Sequence, residues 1–223
     1  MKQWLLLVSL TTLLAACGAD DKQAAAPKAD KAPAAQPAPA AEPVAEVKAP
    51  TAAEYDKAAL VADAKLAVQA LGGNLKKELQ LAMKAGGPLN AIPVCNDKAP
   101  EIANTVSAEK GLQVSRVSLK NRNPVMGKAN DWQSAVLQDF DTRKAAGERP
   151  DTLAFTQIVE HGGKSEFRFM KAIPTGSLCL SCHGANLKPE VTAKIAELYP
   201  EDKAVGYKEG DLRGAFVVVK SLN

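Results

Sequence analysis

The chain carries four cysteines and two histidines, and three of these six residues fall within five positions of the stretch "LCLSCHG". Cys179 and Cys182 are two residues apart and His183 follows directly. Two thiols at that spacing can each add to a vinyl group of one haem while the adjacent imidazole reaches the iron from the same side, the c-type attachment signature. On this reading Cys179 and Cys182 are thioether anchors and His183 is one axial ligand. Two rivals fit less well. A redox dithiol calls for a helix N-terminus after a strand, whereas the loop-like "PTGSL" precedes the pair. A structural zinc needs four donors, and beyond these three the chain offers only Cys95 or His161.

Cys95 is the next residue that could do chemistry. With the pair committed to haem, it is a buried inert thiol, an intermolecular disulfide or a metal ligand. Cys95, Ala99, Ile102 and Val106 repeat at the spacing of one helical face, so the sulfur faces the core. Pro93 suits a helix start, which sets Cys95 in a first turn whose amide dipoles favour a thiolate. Arg116, Lys120 and Arg122 cluster at a strand end, where guanidinium and ammonium groups can meet haem propionates or form a solvated charged edge. His161 precedes Gly162-Gly163 at a hairpin tip, and Met170 reads as core packing within a strand.

These residues need elements to hold them. Apolar residues at helical spacing predict a long first helix from Ala52 to about Ala85, with a weak point at Gly72-Gly73 and a stop at Gly86-Gly87-Pro88. A second helix is expected from Leu89 or Pro93 to Ala108. "LQVSRVSLK" alternates as a strand, and "DWQSAVLQDFDTRKAAG" places Trp132, Val136, Leu137 and Phe140 on one helical face. "TLAFTQIVE" and "KSEFRFMKAI" read as strands joined by a glycine turn. A short helix at "PEVTAKIAELY" and a strand at "RGAFVVVK" complete an α+β domain on an antiparallel sheet.

The N-terminus reads as targeting. "MKQWLLLVSLTTLLAAC" has an early Lys2, an apolar run and small residues before Cys17, a lipoprotein signal over residues 1–16 with Cys17 as the lipidated first mature residue. Gly18 after the cysteine leans toward the outer membrane, on the periplasmic side of the cell envelope. Residues 17–50 are rich in Ala and Pro with no apolar face and read as a disordered linker. Residues 51–223 then form one domain. The formal charge of +3 comes without a basic stripe, which argues for no nucleic-acid partner and leaves the membrane, through Cys17, as the expected one.

The stretches "AIPVCNDKAPEIA", "VSRVSLKNRNP", "RFMKAIPTGSLCLSCHG" and "YPEDKAVGYKEGDLRGAFVVV" together resemble a family of single-haem c-type proteins with a PAS-like fold, long catalogued as a domain of unknown function. The resemblance implies a PAS-like antiparallel sheet with flanking helices, one covalent haem c, and axial ligation by His183 and the Cys95 thiolate. "NPVMGKANDW" departs from the family's pattern, so Met126 stands as the alternative to Cys95. The expected role is a c-type cytochrome in low-potential electron transfer, acting with a separate redox partner. The alternative is a redox or diatomic-gas sensing module that signals through another protein. A haem enzyme needs an open iron position and a distal acid or base, for which only His161 is left, so no enzymatic activity is expected.

Overall fold

The computed structural model describes residues 55–161 and 163–222. The signal peptide, Cys17 and the linker of the sequence reading lie outside them. Helix α1 (Lys57–Gly86) starts where the Asp56 carboxylate accepts the Ala59 amide, an N-cap that satisfies one of the helix's unpaired donors. It runs through Gly72-Gly73 without a break. Gly87, at φ 72°, turns the chain into α2 (Pro88–Lys110), a left-handed conformation that glycine adopts without a Cβ penalty. Strand β1 (Gln113–Val117) is followed by a loop and by α3 (Asp131–Ala145), whose Asn130 and Gln133 form a reciprocal capping box. Then come the hairpin strands β2 (Ala154–His161) and β3 (Lys164–Pro174), a 3-10 turn (Ser177–Cys179), the one-turn helix α4 (Leu180–His183), α5 (Pro189–Leu198) and β4 (Leu212–Ser221).

The four strands form one antiparallel sheet in the order β1-β4-β3-β2. Alternation along the strands sorts their side chains to two faces. Val114, Phe167, Phe169 and Val218 join Ala64, Leu71 and Val106 of the α1/α2 pair in one core. Met170, Ala172, Ala215 and Val217 join Val136, Leu137 and Phe140 of α3 in the other. The result is an α+β domain with a four-stranded sheet between an α1/α2 layer and α3. A third cluster, Ile92, Val191, Ile195 and Tyr199, seats α5 against α2.

Two local details become definite. Of the two expected starts of the second helix, Leu89 and Pro93, the structure bears out the first to within a residue, at Pro88, and both Pro93 and Pro100 lie inside the helix. Cys95 therefore sits in the third turn, beyond the reach of the N-terminal dipole, which falls off within the first turn. Of the run expected as a loop before the cysteine pair, Thr175 and Gly176 are irregular, and Ser177 and Leu178 enter a 3-10 turn feeding α4. Its short i to i+3 repeat leaves no apolar periodicity for sequence reasoning to find.

Candidate functional site

The α1/α2 pair, β1, the loop after β1 and α4 enclose a cavity of about 560 Å³, within the roughly 300–1,000 Å³ range of cofactor sites. Leu71, Leu75 and Leu79 of α1 and Ile92 of α2 give it apolar walls, and Cys95, Met126, Cys179, Cys182 and His183 all line it. These five residues come from four segments spread over nearly ninety positions.

The motif is held by backbone geometry. The Gly184 amide donates to the Leu180 carbonyl at 3.0 Å and closes the α4 turn. A Cβ on Gly184 would lie 2.6 Å from that carbonyl oxygen, so the residue after His183 has no room for a side chain. The Tyr207 and Gly206 amides donate to the carbonyls of His183 and Gly184 at 2.9 and 3.0 Å, stitching the motif to the segment before β4. The His183 Nδ1 lies 2.7 Å from the Ala204 carbonyl. A carbonyl can only accept, so Nδ1 carries the proton and Nε2 keeps its lone pair, the arrangement of a metal-binding imidazole. Burial, and then the Arg213 and Arg122 guanidiniums, push the His183 imidazolium down to about 2 against the raising effect of the Ala204 bond. The ring is neutral at physiological pH.

Cys95 is half-buried and unpaired, and Ala99 and Val106 of the same helical face are buried. Burial pushes the Cys182 thiol up, opposed by Arg122 and reinforced by Cys95 and Cys179, so both other sulfurs lie within electrostatic range of Cys182. Arg116 of β1 also lines the cavity. Its buried setting lowers its guanidinium, while Cys95 and Tyr199 act in the opposite sense. The positive neighbour of Cys95 is thus a guanidinium from the sheet, where sequence reasoning had placed a helix terminus.

The three basic residues grouped at the strand end separate. Arg116 faces the cavity. Arg122 lines it too, but its guanidinium is engaged: Nε and Nη2 donate to the two Asp202 oxygens at 3.1 Å each, and Nη2 donates to the Cys182 and Ala204 carbonyls at 2.6 and 3.2 Å. Lys120 does not line this cavity. Its Nζ donates to the Val205 carbonyl at 2.6 Å and sits 4.7 Å above the Tyr207 ring, beside a smaller space of about 220 Å³. Arg213, missed by sequence reasoning, lines the large cavity and lies 5.4 Å from the Tyr207 ring centroid. Its position immediately before Gly214 in "DLRGAF" was the available signal. Met126 is 41% exposed in a loop whose amides at 125 and 126 donate to the Asn123 side chain. His161 ends β2, opposite Lys164, and Met170 is fully buried on the α3 side of the sheet.

The Cys179 thiol at the end of the 3-10 turn, the Cys182 thiol and neutral His183 imidazole on the one-turn helix α4, a third thiol on α2, apolar walls and cationic Arg116 and Arg213 suit an iron macrocycle with anionic substituents. Among the described residues no three His, Cys, Asp or Glu side chains converge as a metal cage, whereas an axial pair requires two. The fold and site define an α+β protein with a Cys-x-x-Cys-His motif facing a preformed cavity. The chain belongs to the Tll0287-like family, whose model matches residues 46–221. Among solved structures it is similar to the cyanobacterial heme-protein Tll0287, with 24% identity, a TM-score of 0.56, and coverage of 74% of this chain and 96% of that one. At this identity the likeness is one of fold. No curated protein matches.

Proposed function

We propose that this chain is a c-type cytochrome with one haem bound covalently through Cys179 and Cys182, ligated by His183 and Cys95, and used in low-potential electron transfer at the periplasmic side of a bacterial envelope. The observation that carries the reading is the convergence of both motif cysteines, a neutral His183 with a free Nε2, and Cys95 on one cavity. The family match and the description of its similar structure as a heme-protein support it.

Haem supplies one-electron chemistry at iron. His183, locked by Ala204, presents a lone pair without rotational search, and the Cys95 sulfur shares the cavity with the Arg116 guanidinium. The leucines of α1 exclude water, and Arg116 and Arg213 offer cations to carboxylate substituents. Cys95, if it held the iron as a thiolate, would supply anionic donation that favours the ferric state and hence a low potential. Cys17, as a lipidated N-terminus, would hold the domain at the outer membrane, with a separate redox protein as partner. We assign the chain no enzymatic activity.

The test is acid-solvent extraction of purified holoprotein. Wild type should retain haem, and a variant with Cys179→Ala and Cys182→Ala should release it; retention by that variant rejects covalent attachment. A sensing role is the second reading, favoured by Met126, a further sulfur on the same cavity. Under it, dithionite should exchange Cys95 for Met126 with the low-spin state kept, and in Met126→Ala the same reduction should give a low- to high-spin change in the absorption spectrum. A carrier keeps its ligands through reduction.

A further inference from the structure

Arg122 and Asp202 form an ion pair whose side chains are only 9% and 8% exposed, and the haem reading leaves it without a task. Burying such a pair offsets little of its own desolvation cost, so its presence calls for an explanation beyond stability. Its connections supply one. The Asp202 Oδ1 accepts the Ala204 amide at 2.9 Å, while Arg122 Nη2 donates to the Ala204 carbonyl at 3.2 Å. The peptide groups on either side of Ala204 are thereby gripped by the two members of one ion pair. The same carbonyl accepts His183 Nδ1 at 2.7 Å. Arg122 also donates to the Cys182 carbonyl, the residue before His183, and the Lys203 amide donates to the Asn121 carbonyl, the residue before Arg122. Ala204 itself is fully buried.

The geometry points to Arg122 and Asp202 as positioning residues for His183: the pair holds the Ala204 carbonyl against Nδ1 and so fixes the tautomer and ring angle with which the imidazole presents Nε2. The alternative assignment of Arg122 to propionate binding leaves this network unexplained, since its Nε and Nη2 donors are already engaged. A hydrogen bond at the outer nitrogen of a ligating imidazole raises its basicity, so a looser Ala204 carbonyl makes His183 a weaker donor. Removing Arg122 alone would strand a buried carboxylate and confuse the readout with a change of charge. The charge-neutral double substitution Arg122→Met with Asp202→Leu removes both members, and buried pairs replaced by apolar residues of similar size usually still fold.

The inference deepens the haem reading and rests on it for the role of Nε2, but its first measurement needs no haem. In the haem-free full chain carrying His161→Gln, 15N NMR of the remaining imidazole should show a single Nδ1–H tautomer. In the double variant the Nε2–H form should grow at least tenfold, and Arg122→Lys, which keeps the ion pair but cannot bridge both carbonyls, should fall between. In the haem-loaded full chain the double variant should show a tenfold higher ferrous-to-ferric ratio at a fixed ambient potential, an upward shift of about 59 mV. A folded double variant that keeps the wild-type tautomer ratio overturns the positioning role. Failure of the wild type to bind haem overturns the haem reading alone, since the ring signals still decide the positioning role.

Discussion

The sulfur of Cys95 and the guanidinium of Arg116 face one cavity from opposite layers of the fold, one from α2 and one from the sheet. If the Cys95 thiolate is an axial ligand, Cys95→Ala opens a coordination position and removes anionic donation. The ferrous-to-ferric ratio at fixed potential should then rise at least tenfold, about 59 mV, and carbon monoxide should bind faster in stopped-flow absorption. Cys95→Met should raise the potential with the site still closed, because a thioether donates less than a thiolate. Identical ferric and ferrous spectra in wild type and Cys95→Ala would sink the assignment and move attention to Met126. Part of this site was legible in residue spacing: the Cys-x-x-Cys-His run and the helical face of Cys95, Ala99 and Val106 are local patterns. The source of positive charge near Cys95 was not, because it depends on Arg116 crossing from the sheet. Nor was the fate of Arg122, whose carboxylate partner is eighty residues away.

Elements depend on single positions in ways that the apolar pattern does not convey. Gly72 and Gly73 lower the helix propensity of α1 equally, yet their surroundings differ. A Cβ on Gly73 would meet nothing within 4 Å, whereas one on Gly72 would lie 3.0 Å from the Phe216 ring. Gly73→Ala should therefore stabilise the domain by about 1 kcal/mol, or roughly 2–4 °C in Tm, while Gly72→Ala gains less or loses stability as the ring is displaced. Equal shifts in thermal denaturation would show that Phe216 yields freely. Gly184→Ala, against a backbone oxygen that cannot swing aside, should cost about 1–3 kcal/mol and lower haem attachment, read as haem per polypeptide. The periodicities of α1, α3, α5 and the strands were visible because amphipathic burial repeats locally. The start of α2 was narrowed only to Leu89 or Pro93, because Pro93 mimics a helix start while the actual N-terminus is set by the Gly87 turn. The turn ahead of β4 supplies a pH dependence. The Lys208 amide, at 2.7 Å, and then the Lys144 ammonium, at 2.9 Å, hold the Asp211 carboxyl below its usual range. Its folded pKa is depressed, so its stabilisation is present above the unfolded carboxylate value and is lost as pH falls through the lower folded one. Asp141, pushed up mainly by partial burial, against the Lys144 ammonium and with a smaller push from Asp211, acts in the opposite sense. Asp211→Asn should cost up to about 1 kcal/mol at neutral pH and nothing below both carboxyl values. A stability difference that persists in strong acid would assign the cost to packing.

At the scale of the molecule, the cavity is assembled from both ends of the domain. The α1/α2 pair forms before β1 in the chain, while α4 and α5 are inserted between the adjacent strands β3 and β4. Pairing of β3 with β4 brings the inserted motif back to the loop after β1, and the Lys203–Asn121 and Arg122–Asp202 bonds close that junction. Strand order and these long-range bonds carry no local signature, which is why the sequence yields an antiparallel α+β domain but not the partner of each site residue. Among the described residues, those that line the cavity all lie between Leu71 and Gly214, so residues 51–223 should fold and bind haem without the preceding fifty. Membrane attachment, in contrast, should depend on Cys17 alone. A single acyl chain gives marginal binding, and stable anchoring requires the several chains that lipoprotein processing adds. The full chain should sediment with membranes, and Cys17→Ser exported by an unlipidated signal should appear in the soluble fraction with the same haem content, spectrum and potential. If residues 51–223 fold without taking up haem, the cavity is incomplete without the N-terminal segment; if Cys17→Ser still sediments with membranes, the anchor lies elsewhere in the chain.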